Sequence, residues 1–128
     1  MGTTFVLALL TRDFLLFGNI GDSSGYVIKN KQLHKITTDH TLVNLLVKSG
    51  ELTEEEAKDH PKKNVLMKAL GANDPIDIDI FDCDTSISDI LVCSDGLTNM
   101  LDVDAIEIVL LSDNTTEDKV LLLMRKAI

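Results

Sequence analysis

The spacing of apolar residues changes along the chain, and this change constrains the fold more than any other feature of the sequence. In the first forty residues, short apolar runs rich in β-branched and aromatic residues alternate with turn residues, which is typical of β-strands. Residues 3–10 and 14–20 flank the polar tripeptide Thr11-Arg12-Asp13, which predicts a hairpin. A second hairpin is predicted for residues 26–37. We therefore expect a β-meander at the start of the chain.

After residue 40, the apolar residues recur at the spacing of an amphipathic helix. Leucines and valines within residues 42–47 form one such face, and Gly50 is placed to end that helix. The run Thr53-Glu54-Glu55-Glu56 is a capping box, which predicts the start of a second helix. Two more helices are predicted to begin at Asp102 and at Thr115 or Thr116, and the last of them runs to Ile128.

Two further strands are predicted between these helices. Ile76-Asp77-Ile78-Asp79-Ile80 alternates strictly, which predicts a strand with its isoleucines toward the core and its aspartates in water. Phe81 breaks the alternation and indicates a bulge. Residues 89–93 form the next predicted strand, whereas residues 65–70 fit a strand or a helical turn equally well.

The composition is that of one globular domain that does not bind polyanions. The chain has 128 residues, of which 45% are hydrophobic and 26% charged. Its net charge of -9 argues against nucleic acid or an anionic membrane as a partner. No run approaches the roughly 18 apolar residues needed to span a bilayer. Cys83 and Cys93 lie in apolar or alternating segments, which is typical of a reduced, cytoplasmic protein.

Two aspartates stand in similar settings at the ends of apolar runs. Asp95 follows residues 90–93 within Ser94-Asp95-Gly96, and Asp22 follows residues 14–20 between Gly21 and Ser23. Carboxylates fixed at the ends of two core strands could meet at one sheet edge and hold a hard cation such as Mg²⁺ or Mn²⁺. A Ser-Asp-Gly tripeptide is also a common turn, and that interpretation stays open at this point.

Seven short motifs follow one another along the chain. They are Met1-Gly2-Thr3-Thr4, Gly18-Asn19-Ile20-Gly21-Asp22-Ser23, Thr38-Asp39-His40-Thr41-Leu42-Val43, Gly50-Glu51-Leu52-Thr53-Glu54-Glu55-Glu56-Ala57, His60-Pro61 with Asn64-Val65-Leu66, Ala69-Leu70-Gly71 and Cys93-Ser94-Asp95-Gly96-Leu97-Thr98. In content and order they resemble the bacterial branch of the metal-dependent, PPM-type (type 2C) serine/threonine protein phosphatases. The resemblance covers essentially all of residues 1–128.

The resemblance implies a partial four-layer α-β-β-α sandwich, an α+β fold of antiparallel sheets flanked by helices. It implies an enzyme in which Mn²⁺ or Mg²⁺ ions, two in each complete domain and a third in bacterial members, activate a water that hydrolyses phosphoserine and phosphothreonine in proteins. By resemblance, Asp95 is a ligand of the dinuclear centre and Asp22 holds the third ion with it. Residues 41–66 match the flap beside the active site. The implied partners are phosphorylated proteins and a cognate serine/threonine kinase.

Other motifs of that family are absent from the chain. The early Asp-Gly-Met-Gly-Gly-His motif, the upstream acidic ligand, the phosphate-binding arginine and the late Gly-Gly-x-Asp-Asn motif are missing, and Ser24 stands where many members carry arginine. The chain therefore matches the central part of a catalytic domain, and we expect it to be inactive alone and to self-associate through uncovered sheet edges or apolar faces. A non-catalytic module that docks on a kinase or regulator, and an unrelated acidic α+β domain, are the alternatives.

Overall fold

The computed structural model describes residues 2–71 and 77–128 and shows two antiparallel three-stranded sheets. Within these ranges the strands are β1 (Phe5–Leu10), β2 (Leu15–Ile20), β3 (Ser24–Lys29), β4 (Gln32–Lys35), β5 (Asp79–Cys83) and β6 (Asp89–Cys93). The helices are α1 (Leu42–Lys48), α2 (Glu54–Lys58), α3 (Asp95–Thr98), α4 (Val103–Leu111) and α5 (Thr116–Ala127). Strands and helices of this kind in one chain confirm the predicted α+β class.

The two predicted hairpins form, but the predicted meander is wrong. β1 pairs with β2 and β3 pairs with β4, yet the strand orders are β1-β2-β5 and β4-β3-β6, so the hairpins lie in different sheets. The chain crosses from one sheet to the other at residues 21–23, where Gly21 has a φ of 106°. This backbone conformation is open to glycine at no steric cost, and it lets β3 pack across β2 instead of beside it.

The core between the sheets is built from large apolar side chains of β2 and β3. Leu15, Phe17 and Val27 are at most 2% exposed, and Phe81 and Ile90 pack against them. Burying one such side chain contributes about 1.5 to 3 kcal/mol. The face that each strand turns toward the other sheet is therefore the face that stabilises the sandwich.

The β4-β3-β6 sheet is covered by helices α4 and α5 on the face that points away from the other sheet. Ile28 of β3 packs with Ile106 and Val109 of α4 and with Leu123 of α5. The two helices, the β4-β3-β6 sheet and the β1-β2-β5 sheet thus make three layers of the predicted α-β-β-α sandwich.

The predicted orientation of the strand near residue 80 is wrong. Ile80 is 70% exposed, whereas Phe81 is partly buried and packs against the cluster between the sheets. The pairing of β5 with β2 runs in unbroken register through Phe17–Phe81, without the predicted bulge. Both faces of this strand carry apolar residues. The aromatic ring of Phe81, and not the isoleucines, faces the core. Ile76 of this prediction lies outside the described residues.

The helix starts are confirmed. Thr53 and Glu56 form the predicted capping box, and Asp102 and Thr115 accept from the backbone amides three residues on. Helix α3 was not expected, because four residues are too few to show a helical period. In the described part of the chain, no helix is both long enough and apolar enough to cross a membrane.

Residues 65–70 form neither of the two alternatives left open by the sequence. They contribute two isolated bridges, Thr41–Leu66 and Thr3–Leu70, which fasten this segment to the start of α1 and to the start of the chain.

The outer face of the β1-β2-β5 sheet is apolar and exposed, and we expect it to make the isolated 128-residue chain self-associate. Leu7, Gly18 and Ile80 lie in one row across this sheet, and Leu7 and Ile80 are 50% and 70% exposed. Replacing Ile80 with lysine should shift the chain toward monomer in sedimentation velocity. Ile108 on α4 is 71% exposed, so Ile108→Lys is the matched control and should leave association unchanged. A chain that is already monomeric at high concentration would contradict this expectation.

The packing of the two sheets against each other depends on a glycine in β3. A Cβ at Gly25 would lie 2.5 Å from Cδ1 of Phe17, a fully buried ring, so Gly25→Ala must displace that ring. We expect it to lower the free energy of unfolding by about 1 to 3 kcal/mol in chemical denaturation. Gly18→Ala is the control, because its Cβ would meet nothing closer than 3.9 Å and should change stability by less than about 1 kcal/mol. Equal effects of the two substitutions would argue against this packing.

Candidate metal centre

The pairing of β3 with β6 brings the two candidate aspartates to the same edge of the sandwich. Ser24 at the start of β3 pairs with Cys93 at the end of β6 in an antiparallel register. Two more steps along the same register lead to Asp22 on one side and Asp95 on the other. The side chains of these two residues are within hydrogen-bonding reach of each other. Two residues 73 positions apart in the sequence are thus held together by one pair of strands.

The surroundings of Asp22 disfavour its negative charge. Partial burial is the largest cause that raises the pKa of this carboxyl group, followed by the charges of Asp95 and Asp39 and by the hydrogen bond to Asp95. A hydrogen bond between two carboxyl groups needs a proton on one of them, because two carboxylates both accept. A bound cation also relieves the repulsion between the two carboxylates. This pair of carboxyl groups therefore fits a hard metal ion as well as a shared proton.

The backbone that carries Asp22 is fixed by close contacts. A Cβ on Gly21 would lie 2.5 Å from Cγ2 of Thr4, and the φ of 106° is itself unfavourable for other residues. The hydroxyl groups of Thr4 and Ser23 are hydrogen-bonded at 2.7 Å. Asp22 therefore sits between two residues that cannot move far without breaking contacts to the start of the chain.

His40 holds the same turn from the other side. Its Nδ1 accepts a hydrogen bond from the amide of Gly21 at 2.9 Å, and its own backbone amide donates to the carbonyl of Gly21 at 2.9 Å. Its Nε2 lies 2.7 Å from Oδ2 of Asp79 at the start of β5. The side chain of Asn19 is fully buried. Its amide group donates to the carbonyl of Thr38, which lies in the connection between β4 and α1, at 3.0 Å.

Asp95 is positioned by the end of β6 and the start of α3. Ser94 is the N-cap of this helix, and its hydroxyl accepts from the amide of Gly96 at 3.3 Å. Asp95 is the first helical residue, and its carbonyl accepts from the amide of Asn99 at 2.9 Å. The Ser-Asp-Gly segment is therefore a helix start as well as the carrier of a carboxylate at the sheet edge.

Two neighbouring groups are poor candidates for ligands. Burial raises the pKa of the Cys93 thiol to about 11, so at neutral pH this group stays protonated. Oδ1 of Asp39 is already 2.8 Å from Nζ of Lys35. Among the described residues, no group of three or more His, Cys, Asp or Glu side chains is arranged to hold a metal ion. Asp22 and Asp95 thus offer two carboxyl groups of a donor set that needs further ligands.

Sequence reasoning placed Asp22 and Asp95 at one edge, and the structure brings them together there. It missed Asp39, His40 and Asp79, which shape the charge and the backbone around Asp22. The one signal for His40 was its place in the motif Thr38-Asp39-His40, and its contacts reach back to Gly21 and forward to Asp79.

Comparisons with known proteins identify the family of the chain. The family model described as Protein phosphatase 2C matches residues 1–117. The chain is 41% identical over 128 residues to the serine/threonine phosphatase stp of Listeria monocytogenes, covering 99% of this chain and 51% of that protein. It is 38% identical to protein phosphatase PhpP of Streptococcus pneumoniae, over 99% of this chain and 52% of that protein. The chain thus spans about half the length of the curated relatives it matches.

Solved structures give the same result. The serine/threonine phosphatase Stp1 of Staphylococcus aureus superposes with a TM-score of 0.90 at 38% identity, over 99% of this chain and 50% of that one. The catalytic domain of the phosphatase PstP, solved in complex with two manganese ions, superposes with a TM-score of 0.80 at 30% identity, over 99% of this chain and 52% of that one. With a family model that matches all but its last eleven residues, the chain belongs to the protein phosphatase 2C family.

Proposed function

We propose that this chain forms the central part of a catalytic domain that hydrolyses phosphoserine and phosphothreonine in proteins. The observation that carries the proposal is the meeting of the Asp22 and Asp95 carboxyl groups at the end of the β3–β6 pair in a chain of this family. These two groups offer the hard oxygen ligands that Mn²⁺ and Mg²⁺ prefer.

The two aspartates have different tasks in this proposal. Asp95, on the rigid junction of β6 and α3, contributes to the dinuclear centre, and Asp22 joins it in holding a third ion. When bound, the ions supply Lewis acidity to the attacking water and neutralise charge on the phosphoryl group. Asp22, partly buried at the same edge, would supply a second carboxyl group beside Asp95 for a bound cation.

Residues 41–66 form the flap of the proposed domain. The bridge between Thr41 and Leu66 closes this segment at its base, and the amide of Leu42 donates to the carbonyl of Val65 at 3.0 Å. Helices α1 and α2 lie between these two ends. Asn64 of this segment also accepts a hydrogen bond from the side-chain amide of Asn99 beside α3 at 3.3 Å. Movement of the flap as a gate over a substrate site therefore requires this contact to break.

The proposed setting is a bacterial cytoplasm. The relatives named above are bacterial phosphatases, and a net charge of -9 does not suit a polyanionic partner. Phosphorylated proteins and a cognate serine/threonine kinase are the proposed partners. Manganese is the ion we favour, since the related PstP domain was solved with two of these ions.

The proposal predicts that activity requires more than these 128 residues. The isolated chain should show no Mn²⁺-dependent hydrolysis of a phosphothreonine peptide, because two carboxyl groups cannot fix a pair of metal ions. The protein with its complete catalytic domain should hydrolyse the peptide, and Asp95→Asn should lower kcat/KM by about 100-fold or more, since loss of even an outer-shell partner costs 10 to 100-fold.

Asp102→Asn is the matched control for this assay. Asp102 caps α4, asparagine caps a helix as well, and the change in charge is the same, so activity should be retained. Full activity of the Asp95→Asn variant would contradict the proposed role. A complete domain that binds phosphoprotein without turnover would favour the non-catalytic docking module.

The raised pKa of Asp22 predicts that this carboxylate destabilises the metal-free protein. Its unfavourable charge is absent below the ordinary aspartate pKa of about 3.9 and appears as the pH rises through the higher folded-state value. Asp22→Asn should therefore raise the free energy of unfolding at pH 7, by at most about 1 kcal/mol because the site is open to solvent, and the gain should vanish near pH 3. The same substitution should weaken Mn²⁺ binding in calorimetry. A variant that is less stable than the parent at pH 7 without metal would contradict this reasoning.

A further inference from the structure

We propose that His40 is a positioning residue for metal binding at Asp22, and that it acts through the backbone of Gly21. The inference rests on the proposed function, because it gives Asp22 the task of binding a cation. It assigns to His40 a role in which the imidazole touches neither the metal nor the substrate.

His40 holds Gly21 at both of its backbone polar groups. The imidazole Nδ1 accepts from the Gly21 amide, and the His40 amide donates to the Gly21 carbonyl, each at 2.9 Å. That carbonyl belongs to the peptide bond that leads into Asp22, so the orientation of this peptide is fixed directly before the carboxylate-bearing residue. Only glycine reaches the φ of 106° required here without strain, and a flexible residue of this kind needs an external clamp.

The imidazole itself is held in one tautomer. A ring that accepts at Nδ1 carries its proton at Nε2, and Nε2 lies 2.7 Å from Oδ2 of Asp79, an acceptor. The His40 side chain is only 8% exposed. Asp79 is in turn fixed opposite Asn19 by the pairing of β2 with β5. The first sheet thus orients the imidazole, and the imidazole orients the turn that carries Asp22.

These contacts leave His40 no free ring nitrogen for another task. Nδ1 is occupied by the Gly21 amide and Nε2 by Asp79, so neither can bind a cation or exchange a proton with a substrate while the turn is intact. Carboxylates that bind metals are commonly oriented by hydrogen bonds from residues behind them, and here the orientation passes through the main chain instead of the side chain.

Two substitutions at His40 separate the Gly21 contact from the Asp79 contact. In His40→Asn, the amide oxygen takes the place of Nδ1 and can accept from Gly21, but the side chain does not reach Asp79. In His40→Gln, the amide nitrogen takes the place of Nε2 and can donate to Asp79, but the acceptor for Gly21 is lost. Each variant loses one hydrogen bond, so a merely structural role predicts similar effects of both.

The measurement is Mn²⁺ affinity by isothermal titration calorimetry, made on the protein with its complete catalytic domain. The site of interest is the one whose binding is lost in Asp22→Asn. We expect His40→Gln to weaken this site by about 10 to 100-fold and His40→Asn to leave it within about threefold of the parent, although both lower the melting temperature to a similar extent. Equal losses in the two variants, or a larger loss in His40→Asn, would overturn the inference.

A spectroscopic measurement on the unaltered protein covers the case in which a variant does not fold. Long-range ¹⁵N–¹H correlation of the histidine rings should show an unprotonated Nδ1 and a protonated Nε2 for His40. The opposite tautomer would overturn the inference, because such a ring cannot accept from Gly21.

The phosphatase assay is run in parallel so that the two claims can fail separately. A parent that hydrolyses phosphothreonine, with an Mn²⁺ site unaffected by His40→Gln, overturns the role of His40 alone. A parent that binds Mn²⁺ through Asp22 with the expected pattern in the His40 variants, but hydrolyses nothing, overturns the proposed function and supports the role of His40.

Discussion

The antiparallel pairing of β3 with β6 is the constraint on which the rest of the candidate site depends. It sets Ser24 opposite Cys93, and because Asp22 and Asp95 each lie two residues beyond this pair, both are brought to one edge of the sandwich. The outward face of the same strand pair packs against α4 and α5, and its inward face packs on β2. Apolar packing on both faces thus holds two like charges closer together than they would lie in solution.

Contacts of the backbone at Gly21 then fix the position of Asp22 more closely than the strand pairing does. Gly21 makes the crossing between the two sheets, and it has no Cβ because Thr4 leaves no room for one. His40 and Asp79 close the turn from the other side. Partial burial, together with repulsion from Asp95 and Asp39, raises the pKa of Asp22, and a simple rotation of the chain does not relieve it. Either a proton or a bound cation compensates the unfavourable charge.

The sequence predicted local features well and long-range features poorly. Hairpin turns and helix caps such as the Thr53 capping box depend on neighbouring residues, and they were correct. The division of the hairpins between two sheets and the core position of Phe81 depend on which distant strand each one meets, which a short window does not contain. Asp22 and Asp95 were found because each follows an apolar run. His40 was given no role, because its partners lie 19 and 39 residues away.

Anomalous diffraction from crystals of the complete catalytic domain grown with Mn²⁺ tests most directly whether the β3–β6 pair builds a metal site. The structure predicts an anomalous peak in contact with the carboxylates of both Asp22 and Asp95, and the loss of that peak in Asp22→Asn while the other metal peaks remain. Manganese peaks that contact Asp95 alone, with the Asp22 carboxylate turned into solvent, would contradict it.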